Sequence, residues 1–412
     1  MANSNLSQAK KAKNDESYTQ LSDIENELRH YRKHFEGKTI LCNCDDPFES
    51  NFFKYFALNF EFLKLKKLIA VAYADSPIVK TRLCNDGHGY VAEMTFAKDM
   101  NGDTAFDWDD IMEMLHNGSI KITDLQGTGD FRDDECLKLL EEADIVVTNP
   151  PFSRFREYVA TLVEYKKKFI IWGNMNAVTY KEIFPLLKNN EMWLGFIANK
   201  TCTFRLPDSY TKWDEKATAK ANDGHHYGNV PSITTFTNLD ISKRHENLIL
   251  FKRYREDPSF YPKYDNYDAI NVDKVKYIPE DYDGVMGVPI TFLCDYNPEQ
   301  FEIVAFRKGE DGKDLVFTRE REREREFNRT FVSLYNVDSR DDKERRRKDK
   351  WEAYLRENND TTQTIEPIDY FFPRRINFSG NDRTHLYGKD GKYTYGRIFI
   401  RNLHPLTPKS SD

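Results

Sequence analysis

The chain has 412 residues, 39% of them hydrophobic and 14% aromatic, enough for two or three domains around at least one sizeable core. No window approaches the roughly 18 consecutive apolar residues of a membrane span, and the polar amino terminus with Lys10, Lys11 and Lys13 lacks the apolar stretch of a secretory signal, so a soluble cytoplasmic protein is expected. Six cysteines without a CxxC pair argue against zinc and disulfide frameworks, and a net charge of −7 argues against a uniformly basic nucleic-acid binder. That charge is uneven: residues 305–412 hold 24 basic against 20 acidic side chains, and the preceding part 37 against 48.

The first predicted element is a helix from Ser22 to Phe35, with Ile24, Leu28, Tyr31 and Phe35 at helical spacing and its bases late, as the helix dipole prefers. A short apolar strand, Thr39 to Cys44, ends at Asp45-Asp46-Pro47 and leads into an aromatic helix from Asn51 to Leu58, the opening of a βαβ unit. Lys67 to Tyr73 reads as the second strand, Gly89 to Phe96 as hairpin strands leading to Gly129-Asp130-Phe131, and Glu135 to Glu142 as a helix. A strand over Ala143 to Thr148 follows, then a helix over Phe155 to Tyr165, a strand over Phe169 to Trp172, a helix over Tyr180 to Leu187 and a strand over Met192 to Phe196. Strands alternating with helices predict an α/β fold with a largely parallel sheet.

Beyond Phe196 the alternation fades. His225-His226 sits in a polar loop without companion ligand spacing, so no metal site is expected. Ile233 to Leu239 and Val285 to Phe292 read as strands, with the Tyr-, Asp- and Asn-rich stretch Tyr261 to Asp283 between them. The runs Thr318 to Glu326 and Arg340 to Lys350 read as solvated helices laced by charge pairs. Arg374-Arg375 beside Phe371-Phe372, and Tyr393 to Arg401, interleave basic and aromatic groups as nucleic-acid contacts do.

The most telling segment is Asn149-Pro150-Pro151-Phe152, directly after the apolar run Ala143 to Thr148. An exocyclic amine on a nucleobase is a weak nucleophile because its lone pair is delocalised into the ring. Two acceptors aimed at its N–H bonds draw that pair back onto nitrogen. The Asn149 side-chain oxygen and the Pro150 carbonyl can supply them at a strand end stiffened by two prolines, with Phe152 offering a stacking face. A plain Pro-Pro turn would explain the prolines but neither the asparagine nor the aromatic.

On these residues the chain resembles the EcoRI-type adenine-N6 DNA methyltransferases. The resemblance covers Asp15 to Gln20, Asp23 to Leu28, Cys42 to Pro47, Asn51 to Phe56, Gly129 to Arg132, Asp144 to Phe152 with Phe155 to Tyr158, Tyr261 to Val272, Gly284 to Phe292 and Tyr395 to Asn402. It implies a Rossmann-like class I methyltransferase sheet with helices on both faces, plus carboxyl-terminal DNA-recognition elements. The expected division is a cofactor-contacting amino-terminal segment (1–36), a catalytic domain (37–240) and a target-recognition region (241–412) with a charged insertion at about 315–390.

The resemblance further implies S-adenosylmethionine as methyl donor and double-stranded DNA as substrate, with the inner adenine of GAATTC as target. By position, Tyr18 and Thr19 match the segment at the donor's methionine portion, Asp45 and Asp46 the acidic turn beside its amino group, Asp75 the ribose acid, and Asp130 and Phe131 the adenine pair. Asn149 touches both donor and target. The stretch from Asp46 to Asn51 lacks the Gly-x-Gly of many class I enzymes and is read as a family variant. Arg205, Lys263, Asn266, Asn271, Arg374 and Arg375 are the candidate DNA contacts. A monomer is expected, with a cognate restriction endonuclease acting on the same site. The competing reading is a protein-glutamine or RNA amino methyltransferase, which shares Asn-Pro-Pro but usually carries Tyr where Phe152 stands.

Overall fold

Strands buried along their whole length need cover on both faces, and the centre of this molecule is made of them: Thr39–Cys42 (β2) and Ile145–Thr148 (β6) are buried at every position. The computed structural model describes residues 18–74, 88–205, 218–220, 226–264, 268–306 and 396–406. They fall into two units, residues 1–246 and 247–412.

The first unit is built on an eleven-stranded sheet. Its parallel centre runs Lys67–Ala72 (β3), β2, β6 and Lys168–Asn174 (β7). Antiparallel strands extend it on both sides. Tyr90–Met94 (β4) and Lys121–Asp124 (β5) follow β3; His226–Thr237 (β11), Lys200–Arg205 (β9) and Tyr18–Thr19 (β1) follow β7. The short strands Trp193–Leu194 (β8) and Thr218–Lys220 (β10) also pair with β11. The expected α/β class with a parallel core is therefore present, β4 falls in the stretch read as hairpin strands, and the antiparallel flank of β11, β9 and β1 is an addition that the βα alternation did not announce.

Side chains alternate across each strand. Ile40, Cys42, Leu68, Ala70, Ile145, Val147, Ile170 and Trp172 point to the face covered by the helix Asn51–Leu58, where Phe52, Phe53 and Phe56 complete one large core. The opposite face receives the helices Asp134–Glu142 and Phe155–Glu164, which contact β2 and β7. Gly173 has no room for a Cβ because the Phe155 ring lies against it.

The single helix expected over Ser22 to Phe35 is broken into Leu21–Leu28 and Arg32–Phe35. Glu27, near the end of the first, is tied to a distant part of the chain. Its buried carboxylate accepts the Tyr31 hydroxyl at 2.7 Å and the backbone N–H groups of Phe196 and Ile197 at 2.9 and 2.5 Å. Gly195 is needed there because a Cβ would lie 2.3 Å from that carboxylate.

The second unit carries a four-stranded sheet in the order Ala269–Asn271 (β12), Val285–Pro289 (β13), Arg397–Asn402 (β15) and Phe301–Phe306 (β14). The expected strand over Val285 to Phe292 stops at Pro289 and continues as a 3-10 helix from Ile290 to Asp295. β15 inserts between β13 and β14 from about ninety residues further along the chain. The charge runs and the insertion at 315–390 lie outside the described residues.

Candidate active site

From β2 the chain moves outward to β3, whereas β6 docks on the other side of β2. Neighbouring strand ends therefore diverge between β2 and β6, and open α/β sheets take their ligands in such a gap at the carboxyl ends. Two turns border it: Asn43 to Pro47 after β2 and Asn149 to Phe152 after β6.

Asp45 ties these turns together. Its buried carboxylate accepts the Thr148 hydroxyl at 2.6 Å and the Ser50 hydroxyl at 2.7 Å, and its backbone N–H donates to the Val71 carbonyl at 3.1 Å. The Ser50 oxygen in turn accepts the N–H groups of Phe52 and Phe53, capping the helix that begins at Asn51. One residue thus couples the tips of β2, β3 and β6 to a helix start, its carboxylate holding β6 and the helix and its backbone N–H holding β3. Asp46 Oδ1 accepts the Phe48 N–H at 3.0 Å and the Tyr90 hydroxyl from β4 at 2.7 Å. Asn43 accepts the hydroxyl of the fully buried Tyr158, whose ring meets Phe131 edge-on at 5.0 Å. Burial, with Cys44 and Asp45 nearby, pushes the Tyr158 phenol well up, and burial does the same to the Cys42 and Cys44 thiols.

The Gly129-Asp130-Phe131 turn is pressed onto the carboxyl end of β3. Gly129 has φ +79°, and a Cβ there would lie 2.6 Å from the Ala72 carbonyl oxygen. Asp133 fixes the turn by accepting the N–H groups of Gly129 and Asp130 at 3.1 and 3.2 Å. Two Arg132 contacts of 2.8 and 2.7 Å engage the Asp130 carboxylate and hold its pKa below the usual value of 3.8.

At the other side of the rim β1 pairs with the far end of β9, Tyr18 opposite Arg205 and Thr19 opposite Phe204. The Asn51 side-chain amide donates to the Thr19 carbonyl at 2.8 Å, hooking β1 to the helix start beside the acidic turn. Thr19 Oγ1 is buried and has no hydrogen-bond partner among the described residues. Asn149 is half-buried and Pro150 buried; the Pro151 carbonyl accepts the Arg154 N–H at 2.9 Å and closes the turn. Phe152 is half-buried against the main core.

Of the residues singled out in the sequence, Thr19, Asp45, Asp46, Asp130, Phe131, Asn149, Pro150, Pro151 and Phe152 all come to this carboxyl rim, together with the backbone of Tyr18. The side chains of Tyr18 and Arg205 lie outside the described residues, as do Asp75, Asn266, Arg374 and Arg375. Lys263 is exposed in the second unit and forms a backbone bridge to Ile270. Asn271 is buried there and fully engaged. Its side-chain oxygen accepts the Tyr264 hydroxyl at 2.7 Å and Arg397 Nε at 3.0 Å, and its amide donates to Asp273 at 2.6 Å, so it is a connector inside the unit and presents nothing to a base edge.

Ser50, Tyr90, Thr148 and Tyr158 were not singled out as site residues. Ser50 had a signal, a capping hydroxyl just before an aromatic helix. Thr148, Tyr90 and Tyr158 had none, since their partners are 103, 44 and 115 residues away.

The residues present suit the donor named by the resemblance. A buried hydroxyl without a partner costs about 1–3 kcal/mol, so the Thr19 edge of the rim is set up to receive a further polar group. The Asp46 carboxylate suits a cationic group, and the Phe131 and Phe152 rings at the same rim suit a ligand or target that carries an aromatic ring.

Comparison with known proteins identifies the family. The sequence model of the family described as adenine-specific methyltransferase EcoRI matches residues 5–403. The chain is 48% identical over 313 residues to Type II methyltransferase M.EcoRI of Escherichia coli, covering 75% of this chain and 91% of that protein. It is 40% identical over 300 residues to Type II methyltransferase M.MpnI of Mycoplasma pneumoniae (73% and 84% covered) and 38% identical over 302 residues to M.MgeORF184P of Mycoplasma genitalium (73% and 85% covered). No solved structure matches significantly. With a family match across nearly its whole length and 48% identity to a relative covered over 91% of its length, the chain belongs to the adenine-specific methyltransferase EcoRI family.

Proposed function

We propose that the protein transfers a methyl group from S-adenosylmethionine to N6 of an adenine rotated out of double-stranded DNA. The observation that carries this reading is the Asn149-Pro150 turn at the tip of β6, fixed from below by the Thr148–Asp45 hydrogen bond. The target amine is buried in the duplex stack, so it must leave the helix to reach such a turn. Asn149 Oδ1 and the Pro150 carbonyl accept its two N–H bonds, which localises the lone pair on nitrogen and aims it. Phe152 supports the purine ring. When bound, S-adenosylmethionine supplies a methyl carbon made electrophilic by its sulfonium. Tyr18, Thr19, Asp45 and Asp46 border its methionine portion, Asp130 and Phe131 its adenine, and Asp75 its ribose. Most of the acceleration then comes from orientation. The proton on the attacking nitrogen leaves to water or a neighbouring carbonyl.

The second unit serves as the target-recognition part, with Lys263 at its surface and Arg205, Asn266, Arg374 and Arg375 as the other contacts to DNA. GAATTC is the sequence to test first, its inner adenine being the target. A monomer working beside a cognate restriction endonuclease in the cytoplasm completes the reading. The test is methyl transfer from labelled donor into duplexes that carry or lack GAATTC, followed by nucleoside analysis. N6-methyladenine in the first duplex alone is expected. Label at another sequence would overturn the GAATTC assignment, and label in protein or RNA, or none in DNA of any sequence, would overturn the whole reading.

A further inference from the structure

One cluster on the first unit takes no part in the catalytic rim. The Phe196 ring, half-buried just after β8, is surrounded by cations. Arg29 lies 5.7 Å from its centroid, Lys200 5.0 Å and Lys243 5.7 Å, and the His30 ring stacks on it at 4.0 Å. These groups come from three separate parts of the chain: the break after Leu28, the start of β9 and the 3-10 turn Ser242–His245. None of the three permanent cations has a carboxylate within ion-pair distance among the described residues. The acids nearby are otherwise engaged. Asp23 bonds the Cys202 thiol and feels Lys200 only at longer range, Glu27 is enclosed by Tyr31 and the Phe196 and Ile197 N–H groups, and Asp240 faces Arg244 and His245.

Gathering like charges around one ring is unfavourable unless an anion completes the group. Each exposed cation–π contact returns only about 0.5–1 kcal/mol. The repulsion registers on His30, whose pKa is lowered by burial and by Arg29, Lys243 and Lys200. In a chain of net charge −7, such an uncompensated cluster is a local exception.

Its place in the sheet points to the anion. Lys200 pairs with Ile233, which on its other side pairs with Asn174 at the carboxyl end of β7, so Lys200 is level with the catalytic rim, and Phe196, opposite Thr235, lies two residues below it. From β6 to β9 is a step of three strands, roughly 14 Å at about 4.8 Å each, well inside one duplex turn of about 34 Å. We propose that Arg29, His30, Lys200 and Lys243 around Phe196 form a grip for one or two backbone phosphates flanking the target adenine. This inference rests on the DNA methyltransferase reading above. The grip positions the duplex and reads no sequence, because phosphate contacts are common to every base pair.

The test is the salt dependence of duplex binding by the full chain and by the triple variant Arg29→Gln, Lys200→Gln, Lys243→Gln. Each phosphate contact contributes about 0.9 to the slope of log K against log salt. A slope shallower by about 1 to 2 is expected, with binding weakened alike for duplexes with and without the target sequence. Unchanged affinity for S-adenosylhomocysteine shows that the variant is folded; a variant that fails this check is replaced by the single Lys200→Gln, for which a slope change of up to about 0.9 is required. The control Lys138→Gln, Lys166→Gln removes two exposed lysines elsewhere. An unchanged slope overturns the proposal, as an acidic protein partner for this face would predict. So does a loss confined to the cognate duplex, or a control that flattens the slope as much per residue. If the wild-type chain methylates no DNA, the functional reading fails instead, and that outcome is separate from the slope.

Discussion

The two units use buried polar groups in different ways. In the first, polar side chains occur at strand tips over a large apolar core, and Asp45, Thr148, Ser50 and Asn43 are each held by a partner from another element. In the second, the apolar cluster is small, and a polar hub of Tyr264, Asn271 and Arg397 lies inside the sheet itself, with Tyr264 packed so closely that a Cβ on Gly287 would sit 2.3 Å from its hydroxyl. The first unit thus carries its polar ties on the rim of a large apolar core, whereas in the second the hydrogen bonds are part of what holds the sheet together.

Four substitutions separate these two uses of buried polar groups. The largest effect is expected from Asn149→Ala. Losing one acceptor at the reacting nitrogen should lower single-turnover methylation by at least about a hundred-fold, with affinity for S-adenosylhomocysteine kept, because the change leaves the core untouched. Near-normal turnover would contradict the assignment of Asn149.

Next is Asn271→Leu in the second unit, which strands the Tyr264 hydroxyl and Arg397 in the sheet. A cost of roughly 2–4 kcal/mol is expected, seen as earlier denaturant unfolding, because buried donors lose their partner. Donor affinity should hold, since that site belongs to the first unit. A silent substitution would mean that the hub contributes nothing to the sheet.

Thr148→Val tests the tie between the β2 and β6 tips. Removing the hydroxyl from Asp45 should cost about 1–3 kcal/mol of stability and slow methylation more than it weakens donor binding. A double-mutant cycle with Asp45→Asn should show coupling of about 0.5–3 kcal/mol, and strictly additive effects would refute the tie.

The smallest effect concerns Asp130. Its pKa lies below 3.8 because of the Arg132 hydrogen bonds, so the associated stability is present above about pH 3.8 and is lost as pH falls through the depressed folded value. Arg132→Gln should remove less than about 1 kcal/mol near neutral pH, the pair being partly exposed, and should bring the Asp130 titration back toward 3.8 by NMR. An unmoved titration would assign the shift to another cause.

How much of this was legible beforehand differs between the units for the same reason. The buried runs Thr39 to Cys42 and Ile145 to Thr148, and the helices between them, carry local periodicity, so the α/β class and the position of Asn149 to Phe152 at a strand end could be read from neighbouring residues alone. The burial of Glu27 could not, because the partners of its carboxylate, Phe196 and Ile197, lie some 170 residues away. Asn271 shows the limit from the other side: an amide in a polar, aromatic stretch looked available to DNA, and only its burial against Tyr264 and Arg397 says otherwise.

Spacing and local chemistry were enough for the alternating elements, the acidic turn after β2, the Asn-Pro-Pro turn after β6 and the family resemblance. Tertiary structure alone decided which of these meet. The Asp45–Thr148 bond, the approach of Tyr158 to Asn43, the insertion of β15 between β13 and β14 and the ring of cations around Phe196 all join residues far apart in the chain. Chain closure over such separations leaves no periodic trace in the sequence, because it is set by the packing of whole elements and not by the preferences of neighbouring residues.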